Sequence, residues 1–363
     1  MYRCNNCLNT STRPRITFNH KRICNACQWA EEKKFINWSE RQKTLKNFFK
    51  KNNKNHYDCI IPVSGGKDGS YVSYTVKKKF NINPLCITVR PPLELNLGSE
   101  NLNNFIKSGY EHLHITPNQE VMRQLNYLGF KYLGFPYYGW LVSIFTSILN
   151  VAAFMNIKLI IYGEDGEVEY GGSDQTKYQP FFDSAYQKKI YFEGGYDKII
   201  KRVNATQSEK FFFSFPSDKI LKKIKTTHWS YFENWDPYRN YLIAKKYCGL
   251  RENQETNVGT FTNFAQNDQA LYSLHTYLMY LKFGFGRATQ DAGIEIRRGA
   301  MTRSQGINLV KLYDNIYPEK FISIYLDYYK ISKNEFNKII DKWANKKIFE
   351  KIKNTWCPKF SIK

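Results

Sequence analysis

The sequence predicts an α/β protein: a parallel sheet bearing a glycine-rich turn, preceded by a small cysteine unit and followed by a mostly helical part. Three observations predict this. Apolar runs of strand length alternate with helix-spaced segments after the amino-terminal stretch, the order that builds parallel sheets. Four of the eight cysteines fall into two CxxC pairs near the amino terminus. Beyond about Phe211, helix-like and aromatic spacing takes over. The expected units are therefore 1–36, 37–210 and 211–363.

In the first unit, Cys4, Cys7, Cys24 and Cys27 have the spacing of a zinc ribbon. Two such knuckles place four thiolates around Zn²⁺, and a segment this short has no other evident core, so the metal supplies its folding free energy. An iron–sulfur cluster or disulfides are the competing readings. His20 lies between the pairs and reads as a surface histidine. Cys59, Cys86, Cys248 and Cys357 are scattered, and the first two read as small core residues.

Trp38–Lys51 reads as a polar helix and Asn52–Asn55 as a linker. Strands are expected at Tyr57–Val63, Pro84–Val89, Glu111–Ile115 and Lys158–Tyr162, with a buried helix over Trp140–Met155 feeding the last of them. That helix is broken by polar residues and falls short of a membrane span. The chain opens on the polar Met1-Tyr2-Arg3-Cys4, with no signal peptide visible, which leads us to expect a cytoplasmic protein with no membrane partner.

A chain of 363 residues that is 42% apolar and 17% aromatic has ample material for a core, which excludes a disordered chain. Its formal charge of +22 calls for an anionic partner. Charge does not choose among nucleotides, acidic sugars, RNA and membranes. Much of the lysine belongs to a general richness in Lys, Asn, Ile, Tyr and Phe, which discounts nucleic acid as the partner.

The first strand delivers the chain into Ser64-Gly65-Gly66-Lys67-Asp68-Gly69-Ser70, followed by helical spacing. A strand, a glycine turn and a helix N-terminus make an anion site, because backbone N–H groups close on a phosphate. The spacing is not that of a Walker A loop. It resembles the SGGxDS motif of pyrophosphatase-loop enzymes, which split ATP between its α and β phosphates and adenylate a substrate. Here the usual Asp-Ser is Asp68-Gly69-Ser70, so either Ser70 supplies the hydroxyl one position later or that hydroxyl is missing. After the fourth strand, Gly163-Glu164-Asp165 resembles the second signature of that superfamily, where an acid would hold Mg²⁺ on the phosphates. Glu167, Glu169 and Tyr170–Ser173 extend this loop toward an acceptor pocket.

Taken together, the CxxC pairs, Pro62–Ser70, Ile161–Asp165, Tyr170–Ser173, Gly259–Asn263, Lys282–Ala292 and Glu295–Gly299 with Arg303 resemble the N-acetyl sugar amidotransferases of bacterial lipopolysaccharide and flagellin-glycan synthesis. The nearest resemblance is to the pseudaminic acid member that forms the acetamidino sugar. This resemblance implies a pyrophosphatase-loop (adenine nucleotide alpha-hydrolase-like) domain, ATP and Mg²⁺, and a structural zinc. ATP would be held by Ser64, Gly65, Gly66, Lys67, Asp68, Ser70, Gly163 and Glu164. Asp68, Lys67 and Asp165 would be catalytic. The acidic, nucleotide-linked acceptor would meet Arg287, Asp291, Glu295, Arg297, Arg298 and Arg303, the arginines offering guanidinium forks that suit carboxylate or phosphate. Ammonia would come from a separate glutaminase or from free ammonium, since no glutaminase nucleophile context is visible. A tRNA-thiolating enzyme joins the same parts and is the alternative, but it generally needs further cysteines near its site. A scaffold that has lost catalysis is the third reading.

Overall fold

The computed structural model describes residues 1–52 and 56–363. Of the linker expected at Asn52–Asn55, residues 53–55 lie outside that description. The cysteine unit contributes helix α1 (Asn25–Glu32), and α2 (Trp38–Asn52) leads out of it. The α/β part then runs β1 (Cys59–Pro62), α3 (Lys67–Phe80), β2 (Pro84–Val89), α4 (Asn96–Lys107), β3 (His112–Ile115), α5 (Gln119–Leu133), α6 (Tyr138–Phe154), β4 (Leu159–Tyr162) and α7 (Gly166–Tyr170). Three short helices, α8 (Ser184–Tyr186), α9 (Tyr196–Ile200) and α10 (Asp218–Leu221), precede β5 (Lys225–His228) and α11 (Pro237–Cys248). The remainder holds α12 (Leu271–Phe283), α13 (Arg287–Arg297), α14 (Arg303–Tyr313), α15 (Ile322–Tyr329), α16 (Lys333–Trp343) and the antiparallel hairpin of β6 (Phe349–Ile352) and β7 (Thr355–Pro358).

The five strands β1 to β5 form one parallel sheet in the order β3-β2-β1-β4-β5. The central strands are apolar on both faces because helices cover both. Ile60 and Ile160 face α6, whose Val142, Phe145, Leu149 and Ala152 bury against them. Cys59, Ile61, Leu159 and Ile161 face Tyr71, Val72 and Val76 of α3 together with Cys248 of α11. Cys59 and Cys86 are fully buried there, as small core residues. Helix α6 is apolar nearly all round because it is sandwiched, and among the described residues no helix is long and apolar enough to cross a membrane.

The sheet extends past the boundary expected at residue 210. Strand β5 completes its edge and α11 packs on α3, so the α/β unit runs on to Cys248. Only the part from α12 onward is the expected helical assembly. There α12, α15, α16 and the hairpin close a second core around Phe130 of α5.

The chain builds β1, β2 and β3 toward one edge, then returns to lay β4 and β5 on the other side of β1. Beyond the carboxyl ends of β1 and β4 the two adjacent loops diverge. A doubly wound sheet opens its ligand crevice at such a reversal, and the Ser64–Ser70 and Gly163–Glu167 loops both emerge there.

Candidate active site

The first loop is shaped by what its glycines must admit. Gly65 adopts φ +77°, and a Cβ there would stand 2.3 Å from the Leu102 backbone nitrogen, since α4 crosses directly over the turn. Gly66 precedes α3 with no side-chain cap, so the first-turn N–H groups of α3 are left for a ligand. Gly69 sits where α3 lies on the end of β1. A Cβ there would meet the Pro62 carbonyl oxygen at 2.8 Å and the Val63 Cα at 3.0 Å. This explains the departure from the usual motif: no serine fits at position 69. Nor does Ser70 substitute for it. Its Oγ is fully buried without a hydrogen-bond partner, and Ser70 does not line the cleft.

The acids of the two loops converge. The Cβ position of Gly163 is 3.1 Å from the Cβ of Asp68, so the second loop needs a glycine to let this carboxylate in. Asp68 is ion-paired with Lys67. Burial, and then the neighbouring Glu164, push the Asp68 carboxyl up to about 6, against Lys67 and Arg287, which pull it down. Burial opposes ionisation of Glu164 as well, but Lys67, a 2.8 Å hydrogen bond donated by the Tyr170 hydroxyl, and Arg287 together hold it below the usual carboxylate range. Two acids with different protonation behaviour, one lysine and one arginine thus share one crevice.

Asp165 is elsewhere. It caps α7, accepting from the N–H of Glu167 at 3.1 Å and of Val168 at 3.4 Å, receives the Thr176 hydroxyl, and lies 3.5 Å from His228. It lines neither chamber of the cleft described next, whereas its neighbour Glu164 lines both.

Two chambers meet at this crevice. The loop-side chamber, about 450 Å³, is bounded by Ser64, Gly66, Lys67 and Asp68, by Thr88, Val89 and Pro91 after β2, by Gly98, Asn101 and Leu102 of α4, and by Arg287. The knuckle-side chamber, about 570 Å³, is bounded by Arg13, Pro14 and Arg15, by Glu167 and Glu193, and by Lys282 and Phe283. Asp68, Glu164, Tyr162, Tyr272 and His275 belong to both walls. Each volume suits a ligand of small-molecule size.

The cysteine unit is bolted to the second loop. Trp29 and Lys33 reach Glu169 at 2.9 and 2.7 Å, the Asn9 and Asn25 amides donate to the Tyr170 and Gly172 carbonyls, and Arg15 makes a bidentate pair with Glu167. Glu169 and Tyr170–Ser173, expected to line a pocket, serve chiefly to hold this unit. The four cysteines are buried, with Sγ atoms all within 4.8 Å of one another, Cys4 to Cys27 at 3.8 Å and Cys7 to Cys24 at 3.6 Å. Four sulfurs at about 2.3 Å from one tetrahedral ion would lie roughly 3.8 Å apart, so the donor set fits a single metal ion and is not disulfide-bonded. His20 is exposed and outside the set.

The late arginines scatter. Arg287 lines the loop-side chamber, held by Asp291 at 2.8 Å, while Asp291 also receives the Thr260 hydroxyl. Arg297 turns to the cysteine cluster; burial opposes its charge, but the neighbouring cysteine sulfurs and Glu169 hold its guanidinium above the usual range, and it donates to the Glu169 carbonyl. Arg298 pairs with Glu295 and Asp236, and Arg303 donates to the Lys363 carbonyl. Of the residues expected to meet the acceptor, Arg297, Arg298, Arg303 and Glu295 therefore line neither chamber.

Arg13, Lys282, His275 and Tyr162 were not singled out from the sequence. The Tyr162 hydroxyl and His275 Nδ1 are buried without partners, and burial lowers the imidazole to about 3, so it is neutral at physiological pH. Two of the four lay within runs that carried a signal: Tyr162 in Ile161–Asp165 and Lys282 at the start of the glycine-rich Lys282–Ala292.

Residues 258–360 match the family model described as the C-terminal domain of WbpG-like LPS biosynthesis proteins. An uncharacterized protein of Methanocaldococcus jannaschii is 32% identical over 114 residues, 29% of this chain and 39% of that protein, so the chain spans about two fifths of the curated relative it matches. Among solved structures, the U34-tRNA thiolase NcsA of Methanococcus maripaludis, with its 4Fe–4S cluster, is 14% identical, with 72% of this chain and 79% of that one covered at a TM-score of 0.32. The helical part from Val258 onward, which supplies Arg287 and Lys282 to the cleft, is thus similar to a domain of lipopolysaccharide biosynthesis proteins.

Proposed function

We propose that the protein is an ATP-dependent, AMP-forming amidotransferase that converts an acetamido group of a nonulosonic acid, such as CMP-linked pseudaminic acid, to acetamidino for a surface or flagellin glycan. The observation that carries this reading is the pair of chambers sharing the Asp68–Glu164 wall: one opens on an anion-binding glycine turn, and the other is large enough for a sugar beside it. The match of residues 258–360 to the WbpG-like domain supports a glycan substrate.

In this reading ATP lies in the loop-side chamber, with its phosphates on the α3 N-terminus and its base against Val89, Pro91 and Leu102. Asp68 and Glu164 hold Mg²⁺, which when bound neutralises phosphate charge. The acetamido oxygen, presented from the knuckle side, attacks the α-phosphorus; the bond to the β-phosphate oxygen breaks, and pyrophosphate leaves toward Lys67. Ammonia then adds to the imidate carbon and AMP departs, leaving the amidine. The chain's own contribution is alignment of the oxygen with the phosphorus and electrostatic support of the leaving groups. The four cysteines take Zn²⁺ as a structural ion, because they are buried and their sulfurs leave no room among them for a multi-iron core.

The thiolase alternative lacks a cysteine in place: Cys59, Cys86 and Cys248 are buried in the core, and no cysteine lines either chamber among the described residues. Mass spectrometry of the products from Mg-ATP, ammonium and CMP-linked di-N-acetyl pseudaminic acid tests the proposal. An acceptor lighter by the difference between O and NH, with AMP and pyrophosphate, is expected. AMP formation that depends on tRNA instead overturns it.

A further inference from the structure

Building on that reading, we propose that Arg13 of the cysteine unit and Lys282 of α12 recognise the acceptor's carboxylate, so that the metal knuckle is a substrate-recognition element. Both line the knuckle-side chamber, and the two come from segments far apart in the chain. Of the other charges on this wall, Arg15 is bidentate to Glu167 at 2.8 Å and lies 3.8 Å from Glu193, and these two carboxylates also act through space, without a hydrogen bond, on Arg13 and Lys282 respectively. Arg13 is not matched in this way. Its Nη1 is buried without a hydrogen-bond acceptor, and its guanidinium lies 5.3 Å over the Phe285 ring. An unpartnered buried guanidinium nitrogen is costly unless a ligand completes it.

The position of Arg13 is fixed from both ends. The Thr12 hydroxyl donates to the Phe283 carbonyl, the Arg13 N–H donates to Thr10 at 3.1 Å, and Arg3 donates to Leu8 at 2.8 Å and Gly284 at 3.3 Å. These bonds dock the knuckle loop on the turn that ends α12, beside Lys282. The Lys282 ammonium donates to the Leu133 carbonyl at 2.8 Å, which leaves two of its protons for an anion. Burial lowers both cations, Arg13 to about 10, yet Arg13 stays charged at neutral pH. A planar fork and a point charge around one pocket suit a sugar carboxylate, whereas phosphates find the backbone nest across the shared wall.

The test measures steady-state kinetics and acceptor binding for Arg13→Ala, Arg13→Lys and Lys282→Met, using the CMP-linked acid and its carboxyl methyl ester. Arg13→Ala and Lys282→Met should each raise the acceptor KM about tenfold to a hundredfold. Arg13→Lys should recover part of that loss, with kcat and Mg-ATP affinity near wild type. The ester should bind wild type as weakly as the acid binds Arg13→Ala, and should lose nothing further in that variant. Equal losses for acid and ester would move recognition to the phosphate or another group and overturn the proposal, as would unchanged KM in both variants of an active enzyme. A wild-type protein that binds the acid yet makes no amidine would sink the proposed reaction while leaving the carboxylate site testable by binding alone.

Discussion

The two chambers of the cleft are built by different means. The loop side takes its floor from one local turn, Val63–Ser64 and Gly66–Gly69, and presents backbone N–H groups shaped by glycines. The knuckle side takes its walls from the cysteine unit, the α5–α6 turn, the segment near Glu193 and the end of α12, and presents side chains. Backbone recognition suits a phosphate, which is the same in every nucleotide; side-chain recognition suits a variable acceptor. Substitutions should therefore act through shape on the first side and through charge on the second.

The sharpest separation comes from disrupting the metal site proposed at the four cysteines. Binding energy on the order of 10 kcal/mol holds a structural zinc site together, and losing it frees Arg13 and Arg15 from the knuckle-side wall. Cys24→Ala, or chelation of the wild type, should abolish acceptor turnover and open the amino-terminal segment to proteolysis. Mg-ATP binding should survive, because the glycine turn is held by α3, α4 and the sheet. Metal analysis with parallel calorimetry for ATP and acceptor would read this. Equal loss of both ligands would mean that the chambers are not independent.

Next in size are the shared acids. Asp68→Asn and Glu164→Gln should each lower kcat by about 10²–10⁴-fold, measured as pyrophosphate release. Asp165→Asn, on a cap rather than in the cleft, should act mainly on stability, by about 1 kcal/mol in thermal unfolding. A reversal of that order would return the catalytic acid to Asp165.

The same acid sets a pH dependence. In the free protein Asp68 is raised to about 6, chiefly by burial and then by Glu164, so below that pH it binds a proton and ceases to be an anionic ligand. Mg-ATP affinity should therefore fall as pH drops through about 6 and be restored above it. The sign for stability is opposite: a carboxyl raised on folding favours the fold below its unfolded value of 3.8, and that contribution is lost as pH rises through about 6. Asp68→Asn should flatten both curves. A binding limb at pH 4 instead would place Asp68 in water.

A smaller effect probes shape on the loop side. Gly69→Ser rewrites the motif to its usual form, yet a Cβ there meets Pro62 and Val63 at 3.0 Å or less. Destabilisation of about 1–3 kcal/mol is expected from such overpacking, with no gain in turnover. Higher activity would show that the strand end yields and that the missing hydroxyl had been limiting.

Why some of this was legible in the sequence is clear from particular residues. Ser64–Asp68 is contiguous, and its strand, turn and helix follow from local rules, so its place at the sheet edge was readable. Strand β5 was not, because Lys225-Thr226-Thr227-His228 is polar; only tertiary packing buries Thr226, Thr227 and His228, the last against Phe182 and Tyr191. Glu164 and Asp165 are neighbours with like chemistry; which one faces the cleft depends on α7 starting at Gly166, although an Asp before a short helix is itself a capping signal. The glycine framing of Arg297 suggested a ligand site, but that guanidinium faces the cysteines of a unit far away in the chain. Arg13 and Lys282 meet only through tertiary docking, which no spacing rule reports.

The smallest expected effect tests that last distinction. Arg298 pairs with Glu295 at 2.7 Å and Asp236 at 3.7 Å and lies over the Tyr238 ring, all at a partly exposed surface. Exposed pairs of this kind contribute at most about 1 kcal/mol, and Arg298 borders neither chamber. Arg298→Ala should leave acceptor KM, kcat and Mg-ATP affinity at wild-type values and shift the unfolding midpoint only slightly. Its value lies in the contrast with Arg13→Ala, since both remove one guanidinium from a strongly basic protein. If bulk positive charge attracted the acidic sugar, the two variants would weaken binding alike, and both losses would shrink with added salt. If recognition lies in the knuckle-side wall, only Arg13→Ala weakens binding. A rise in KM for Arg298→Ala equal to that for Arg13→Ala would return the acid site to the arginines after Glu295 and dissolve the contrast between the chambers.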